Sequence, residues 1–407
     1  MSHLSAHRPP LQAIETLDNA ATSLLSGSVC DPNPAAKQIA KFPNPLKHPF
    51  AALRWILSRA FGLASLTLML SVVAAIPLLN FFALGCLLEA EARVARSGKL
   101  RDAFPLVAIA PRIGAIVMGA GIWVLFLRLF SLYVADAQTI APASTTTSQL
   151  RNLLIILATG IALHLCLALA RGGSLGCFFR PFKNVLWLRK RLQSGDYWSY
   201  AGEHLGSFIA AFRLKHHFWL GLRGYLGAAI WLFPPTALLA VGDGSGPSTL
   251  VSVVGGIWLV FVLSWLPFLQ ARLAAENRFG AIFEPRRAIE CFKRAPFSWA
   301  LTTILVYALA LPLYLLKVRL PPQDAMWLAT VVFIVSIYPA RILTGLAYGR
   351  ASRRSKPAWY DLTWLCRTAV LGALLVFVFL LFFTQGIGEH GKRTLFEHHA
   401  FLLPWPL

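Results

Sequence analysis

The sequence predicts an all-α fold, a polytopic transmembrane helical bundle of about nine spans. Three observations carry this expectation. Of 407 residues, 57% are hydrophobic and 14% charged, where an ordinary soluble domain carries about 25% charged. Several apolar stretches reach the roughly 20 residues that a helix needs to cross a bilayer core about 30 Å thick. The Lys and Arg residues are concentrated in alternate connecting segments, as cytoplasmic loops require.

Residues 1–49 are polar and contain Pro32, Pro34, Pro43 and Pro45, which reads as a flexible cytoplasmic tail. Leu11, Ile14, Leu17, Leu24 and Leu25 suggest one short amphipathic helix within it. No apolar run near Met1 resembles a signal peptide. The next region, 50–97, divides at Pro77 and Asn80 into two helices, because proline removes a helix hydrogen bond and clashes with the preceding turn. A single span here would put Arg93–Arg101 and the basic block after Leu169 on the outside. Two spans, or a re-entrant hairpin, put both inside. The remaining spans are Leu106–Tyr133, Asn152–Ala170, Phe218–Val241, Thr249–Gln270, Pro296–Leu316, Met326–Tyr348 and Thr368–Thr384. The N-terminus is then cytoplasmic and the C-terminal tail lies outside an inner membrane. Of 38 Lys and Arg residues, 30 fall in inner segments and 4 in outer ones. Arg112, Arg128, Arg151 and Arg341 are assigned to span ends.

That sorting accounts for the net charge of +21 without a nucleic-acid partner. The six cysteines form no C-x-x-C pair, so zinc and redox readings have no support, and a reducing cytoplasm predicts no disulfide. No cofactor is implied.

The charged helix end Glu89–Gly98 recurs. ARVARSGKLRDAF (Ala92–Phe104) aligns without a gap with ARLAAENRFGAIF (Ala271–Phe283), 179 residues on. Ala92/Ala271, Arg93/Arg272, Ala95/Ala274 and Phe104/Phe283 are identical. Gly98 meets Asn277, and both tolerate a left-handed C-cap. The expected organisation is two parallel four-span repeats, 50–170 and 218–348. A basic amphipathic segment (171–217) separates them, and 349–407 adds a basic loop, a ninth span and an outer tail.

Candidate functional residues follow from charge at membrane depth or at its edge. Glu89 and Arg93 form an i,i+4 pair, acid first, and with Glu91 and Arg96 read as a solvated, self-paired helix end. Arg272 is the second-copy counterpart of Arg93. His164 sits in mid-span, where ionisable groups mark candidate sites, although a neutral histidine can also bond a neighbouring helix. Arg180, Lys183, Arg189, Lys190 and Arg191 interleave with Phe182, Leu186 and Trp187. Such a helix suits an anionic headgroup layer at the cytoplasmic face. Gly172–Gly176 matches G-x-S-x-G, yet it follows an apolar helix rather than the strand that a nucleophile elbow needs.

Gly85-Cys86-Leu87-Leu88 at the end of an inward span, and Ala271-Arg272-Leu273-Ala274 followed by Arg278-Phe279, Phe283 and Arg286-Arg287, carry a resemblance. The pattern resembles the bacterial integral-membrane family catalogued as domain of unknown function 4013. The resemblance covers two short regions. It implies a multi-helix bacterial membrane protein and supplies no activity or site residue. The functional expectation is a non-enzymatic membrane protein acting through lipids or protein partners; the alternative is a transporter or permease with a cavity between the repeats, near His164.

Overall fold

A computed structural model describes residues 47–106, 109–142, 144–242, 246–318, 322, 326–388 and 390–402. The tail and amphipathic helix expected before residue 47 lie outside them. The helices are α1 (Pro49–Ala75), α2 (Asn80–Ser97), α3 (Ala110–Ile140), α4 (Thr145–Ala170), α5 (Pro181–Gln193), α6 (Tyr197–Ala211), α7 (Leu214–Ala240), α8 (Pro247–Glu276), α9 (Pro285–Arg294), α10 (Pro296–Val318), α11 (Met326–Arg353) and α12 (Tyr360–Ile387). No strand occurs among the described residues. The chain is an all-α helical bundle, and α1, α3, α4, α8, α10, α11 and α12 are long and apolar enough to cross a membrane. The other two expected spans are the helices α2 and α7. α2 carries four charges in 18 residues, and α7 includes Lys215, Arg223 and a Pro234-Pro235 pair. The expected break at Pro77 is present: α1 ends at Ala75 and Leu78 takes a positive φ of 68° before α2 begins.

Two compact units form, and they do not follow chain order. One comprises residues up to Leu66 with Ala108–Phe212, the other Thr67–Val107 with Arg213–Leu407.

In the first unit, α3 and α4 form a helical hairpin. α3 runs past its expected end at Tyr133 to Ile140, because the loop residues after it cap rather than unwind. Ser144 Oγ accepts from Thr147 N at 3.0 Å, and Thr147 Oγ1 donates to the Ala141 carbonyl at 2.9 Å. These bonds satisfy orphan groups at both helix ends. Leu125, Leu129, Ile155 and Ile156 leave much of the hairpin's apolar surface exposed, as a bilayer-facing surface would be.

The second unit is arranged around α2, of whose 18 residues 14 are buried. Such a helix meets its neighbours rather than lipid, so its charges do not exclude it from the interior. Glycines bring the backbones together. A Cβ on Gly85 would collide with the His217 carbonyl of α7, and one on Gly221 with the Phe81 carbonyl. Gly345 and Gly349 of α11, a G-x-x-x-G pair, abut the Glu91 and Ala95 carbonyls in the same way. Small residues at this spacing are how membrane helices reach backbone contact.

Four helices of this unit contain internal prolines: Pro234 and Pro235 in α7, Pro267 in α8, Pro312 in α10 and Pro339 in α11. Pro267 frees the Leu263 carbonyl from its helix bond. The Tyr307 hydroxyl of α10 takes that carbonyl at 2.6 Å.

The two similar segments adopt the same backbone path. α2 ends in Gly98 at φ 71°, ψ 10°, and α8 in Asn277 at φ 51°, ψ 32°. Each continues through one extended residue, Lys99 or Arg278, into a 3-10 turn, Leu100–Ala103 or Phe279–Phe283. An aromatic residue of a neighbouring helix secures each turn. The Tyr338 hydroxyl donates to the Ala103 carbonyl at 2.9 Å and its ring stacks on Phe104. Trp231 Nε1 donates to the Ile282 carbonyl at 3.0 Å and its ring stacks on Phe283. Ala103 and Ile282, like Phe104 and Phe283, are 179 residues apart.

Candidate functional site: a clamped arginine closed by the C-terminal segment

The site begins with one residue on each of the two similar helices. Glu91 precedes Ala92, and Gln270 precedes Ala271, so both share the 179-residue offset. Both side chains are fully buried, and both point at Arg341. Arg341 Nη1 donates to Glu91 Oε2 at 3.1 Å and to Gln270 Oε1 at 2.8 Å. Arg341 is 15 residues into the 28-residue α11, about 20 Å from either end at 1.5 Å per residue. A guanidinium there requires a counter-charge and further acceptors. Glu91 supplies the charge and Gln270 a second acceptor.

The third acceptor comes from the chain's own end. The sequence predicts an outer tail after the last span, and in the structure residues 394–401 pack among the helices of the second unit. Arg341 Nη2 donates to the Ala400 carbonyl at 2.8 Å. Gln270 Nε2 donates to the Phe401 carbonyl at 3.2 Å and the Gly224 carbonyl at 3.0 Å. His398 Nε2 meets Thr236 Oγ1 of α7 at 3.0 Å. The His399 ring lies edge-on to Tyr314, 5.1 Å between centroids, and Phe401 lies beside Tyr307. Leu395, Ala400 and Phe401 are buried, so the segment fills the bundle with apolar side chains while its carbonyls satisfy buried donors. Non-helical backbone at this depth is tolerated only when enclosed in this way.

The expected solvated helix end is corrected in part. Glu89 pairs with Arg93 at 3.0 Å as expected, and with Arg96 and His216 Nε2 at 3.4 and 3.3 Å, but it is 4% exposed. Glu91 faces away from this cluster into the core. Basic side chains also cover the last carbonyls of α2 and α8, where the helix dipole is negative. Arg353 Nη2 donates to the Ala95 and Arg96 carbonyls, Arg96 to Ala275 and Arg223 to Asn277. Arg272 joins a four-membered ion cage: it bonds Glu276 and Glu284 at 2.7 Å each, and Arg278 bonds Glu284 at 2.7 Å and Glu276 at 3.3 Å. Hydrogen bonding from Arg272, then from Arg278, holds the Glu284 carboxyl below its ordinary range.

His164, in the first unit, is built into a structural network. Its Nε2 lies 2.9 Å from the Phe178 carbonyl and its Nδ1 3.4 Å from Asn184 Nδ2. The Asn184 amide donates to Nδ1, so the network assigns the proton to Nε2 in a neutral ring. Asn184 also donates to the Cys177 carbonyl and accepts from Arg171. Ser174 Oγ lies 3.2 Å from Cys177 Sγ. Cys177 is disulfide-bonded, which corrects the expectation of six free thiols. Cys86, Cys166, Cys291 and Cys366 are free. No group of three or more metal-ligating side chains occurs among the described residues.

On α5, Asn184 and Trp187 face the protein, and Trp187 packs on Tyr197 and Tyr200. Phe182, Val185, Leu186, Lys183, Arg189 and Lys190 share the exposed arc, and Arg180 at its start is exposed too. Arg191 is turned aside, bonding Asp196 and lying over the Tyr200 ring.

Comparison of the chain with family models, with curated proteins and with solved structures finds no match.

Sequence reading missed Arg341, Gln270 and the C-terminal segment. Arg341, which the sequence reading assigned to a span end, lies about midway along α11, well before Arg350 and Arg353 in its last turn. For Gln270 the available signal was the 179-residue offset extended by one position.

Proposed function

We propose that this is a multi-pass inner-membrane protein that works without enzymatic chemistry, by engaging anionic lipids and, through them, protein partners at its basic face. The exposed arc of α5 carries the reading. Phe182 is 84% and Leu186 64% exposed, beside Lys183, Arg189 and Lys190. Water disfavours those rings and aliphatic groups, whereas a headgroup layer accepts them together with the cations. The charge sorting supports a cytoplasmic N-terminus, with the C-terminal segment entering the bundle from the opposite face. The shared turns at Gly98 and Asn277 support an internal duplication, and the motif resemblance to the family named above belongs to this reading. The test is a nitroxide at Leu186→Cys, in a cysteine-depleted background, in nanodiscs containing phosphatidylglycerol. Relaxation by oxygen that exceeds relaxation by a water-soluble nickel chelate is expected. The reverse ranking overturns the proposal.

One observation favours a transporter as a second reading. The inward donors of Arg341 and Gln270 are spent on the Ala400 and Phe401 carbonyls, so withdrawal of this segment opens a donor-lined space within proline-interrupted helices. Deleting residues 397–407 then makes a cysteine at Thr236 reactive to an aqueous maleimide. A cysteine that stays unreactive removes this reading.

A further inference from the structure

A cavity of about 310 Å³ opens between α8, α9, α10 and α12 near the basic end of the second unit. Its walls include Phe261 and Trp265 of α8, Phe292 of α9 and Leu371 of α12, and Lys293 and Arg367 line it as well. From Glu276 to Phe261 is 15 residues of helix, or about 22 Å, so the lining reaches from the charged end of α8 well into the apolar zone.

Three observations point to one kind of occupant. Lys293 and Arg367 are exposed, and no ion pair holds either charged group among the described residues. The other polar side chains in the lining are already engaged. Ser264 Oγ donates to the Phe261 carbonyl, Thr363 Oγ1 to the Trp359 carbonyl and Trp299 Nε1 to the Ser264 carbonyl. Trp265 Nε1 is different: it is buried with no acceptor among the described residues. A buried N–H without an acceptor costs free energy, and an oxygen of a bound molecule would remove that cost.

We propose that this cavity is a binding site for one anionic phospholipid. The phosphate sits between Lys293 and Arg367, a headgroup or ester oxygen accepts from Trp265 Nε1, and the first part of an acyl chain lies along Phe261, Phe292 and Leu371. Basic pockets between membrane helices hold anionic headgroups in this manner. The site deepens the lipid-engaging reading above and rests on it, yet it uses residues that α5 does not contribute.

The test is native mass spectrometry of the delipidated full-length protein in detergent, titrated with phosphatidylglycerol or phosphatidylcholine. One phosphatidylglycerol should bind in preference to phosphatidylcholine and resist millimolar inorganic phosphate. Lys293→Gln/Arg367→Gln should weaken it at least ~10-fold, Lys293→Arg/Arg367→Lys should retain it, and Trp265→Phe should weaken it alone. Unchanged phosphatidylglycerol binding in the double Gln variant overturns the site, as does equal binding of phosphatidylcholine or displacement by phosphate. If the double Gln variant does not fold, loss of binding in the folded Arg/Lys variant, together with no effect of Trp265→Phe, also overturns it. Lys183→Gln/Arg189→Gln on α5 separates the two proposals. Lipid loss there with none in the cavity variant sinks the site and leaves the broader reading standing.

Discussion

Removing either member of the Glu91–Arg341 pair should strongly destabilise the second unit, and removing both should cost less than the two losses added together. Glu91 is 0% and Arg341 3% exposed, so solvent does not screen the charge that is left behind. Breaking a buried pair in this way costs about 3–5 kcal/mol. Glu91→Gln keeps the shape and leaves a guanidinium with only neutral acceptors. Arg341→Met leaves a buried carboxylate and also strands Gln270 Oε1 and the Ala400 carbonyl. Combining them removes both charges and should recover much of the loss, a coupling of roughly 2 kcal/mol or more. At about 2–4 °C per kcal/mol for a unit of this size, each single variant should lower the apparent Tm in detergent by about 10 °C. The double variant should fall by less than the sum. Strictly additive losses, or single variants within about 2 °C of the parent, would refute the ion-paired core.

Other perturbations test other parts of the fold. Gly85→Leu places a side chain against the His217 backbone, and backbone cannot yield as a flexible side chain can; the variant should lose its monodisperse gel-filtration peak, whereas Gly372→Leu, with open space around it, should keep it. Asn184→Ala removes the donor to His164 Nδ1 and to the Cys177 carbonyl and should cost about 1–3 kcal/mol. His164→Ala should cost less by the same thermal assay, since the Phe178 carbonyl keeps Trp123 Nε1 at 2.9 Å. The folded pKa of Glu284 is depressed, so its contribution is present above the unfolded carboxylate pKa and is lost as pH falls through the folded value. Thermal scans from pH 6 to pH 3 should show an acid-side decline that is shallower in Glu284→Gln.

Much of the architecture was legible in the sequence because membrane helices are specified by composition over about 20 residues, which pattern reading detects well. The break before α2 could be read from Pro77, and the paired turns from Gly98 and Asn277. The candidate site was less legible. Whether Glu91 faces water or Arg341 depends on which helix packs on α2, and Gly345 and Gly349 of α11 decide that from far along the chain. His164 was a candidate by its depth, with a hydrogen bond to a neighbouring helix as the competing reading. Its partners, Asn184 and the Phe178 carbonyl, come from a turn and a helix later in the chain, and they make it a fixed neutral brace. The C-terminal segment was placed outside because it follows the last apolar helix, and its packing among the helices was not foreseen. Its burial depends on donors from Gln270 and Arg341 that no local pattern contains.

The reactivity of a cysteine at Ala400 tests most directly whether the second unit is closed by its own end. In folded Ala400→Cys protein lacking its exposed thiols, aqueous maleimide should label this position only after denaturation, at least ~100-fold more slowly than a cysteine on an exposed helix face, in keeping with a closed native state. Labelling at the exposed rate in the folded protein would contradict the account.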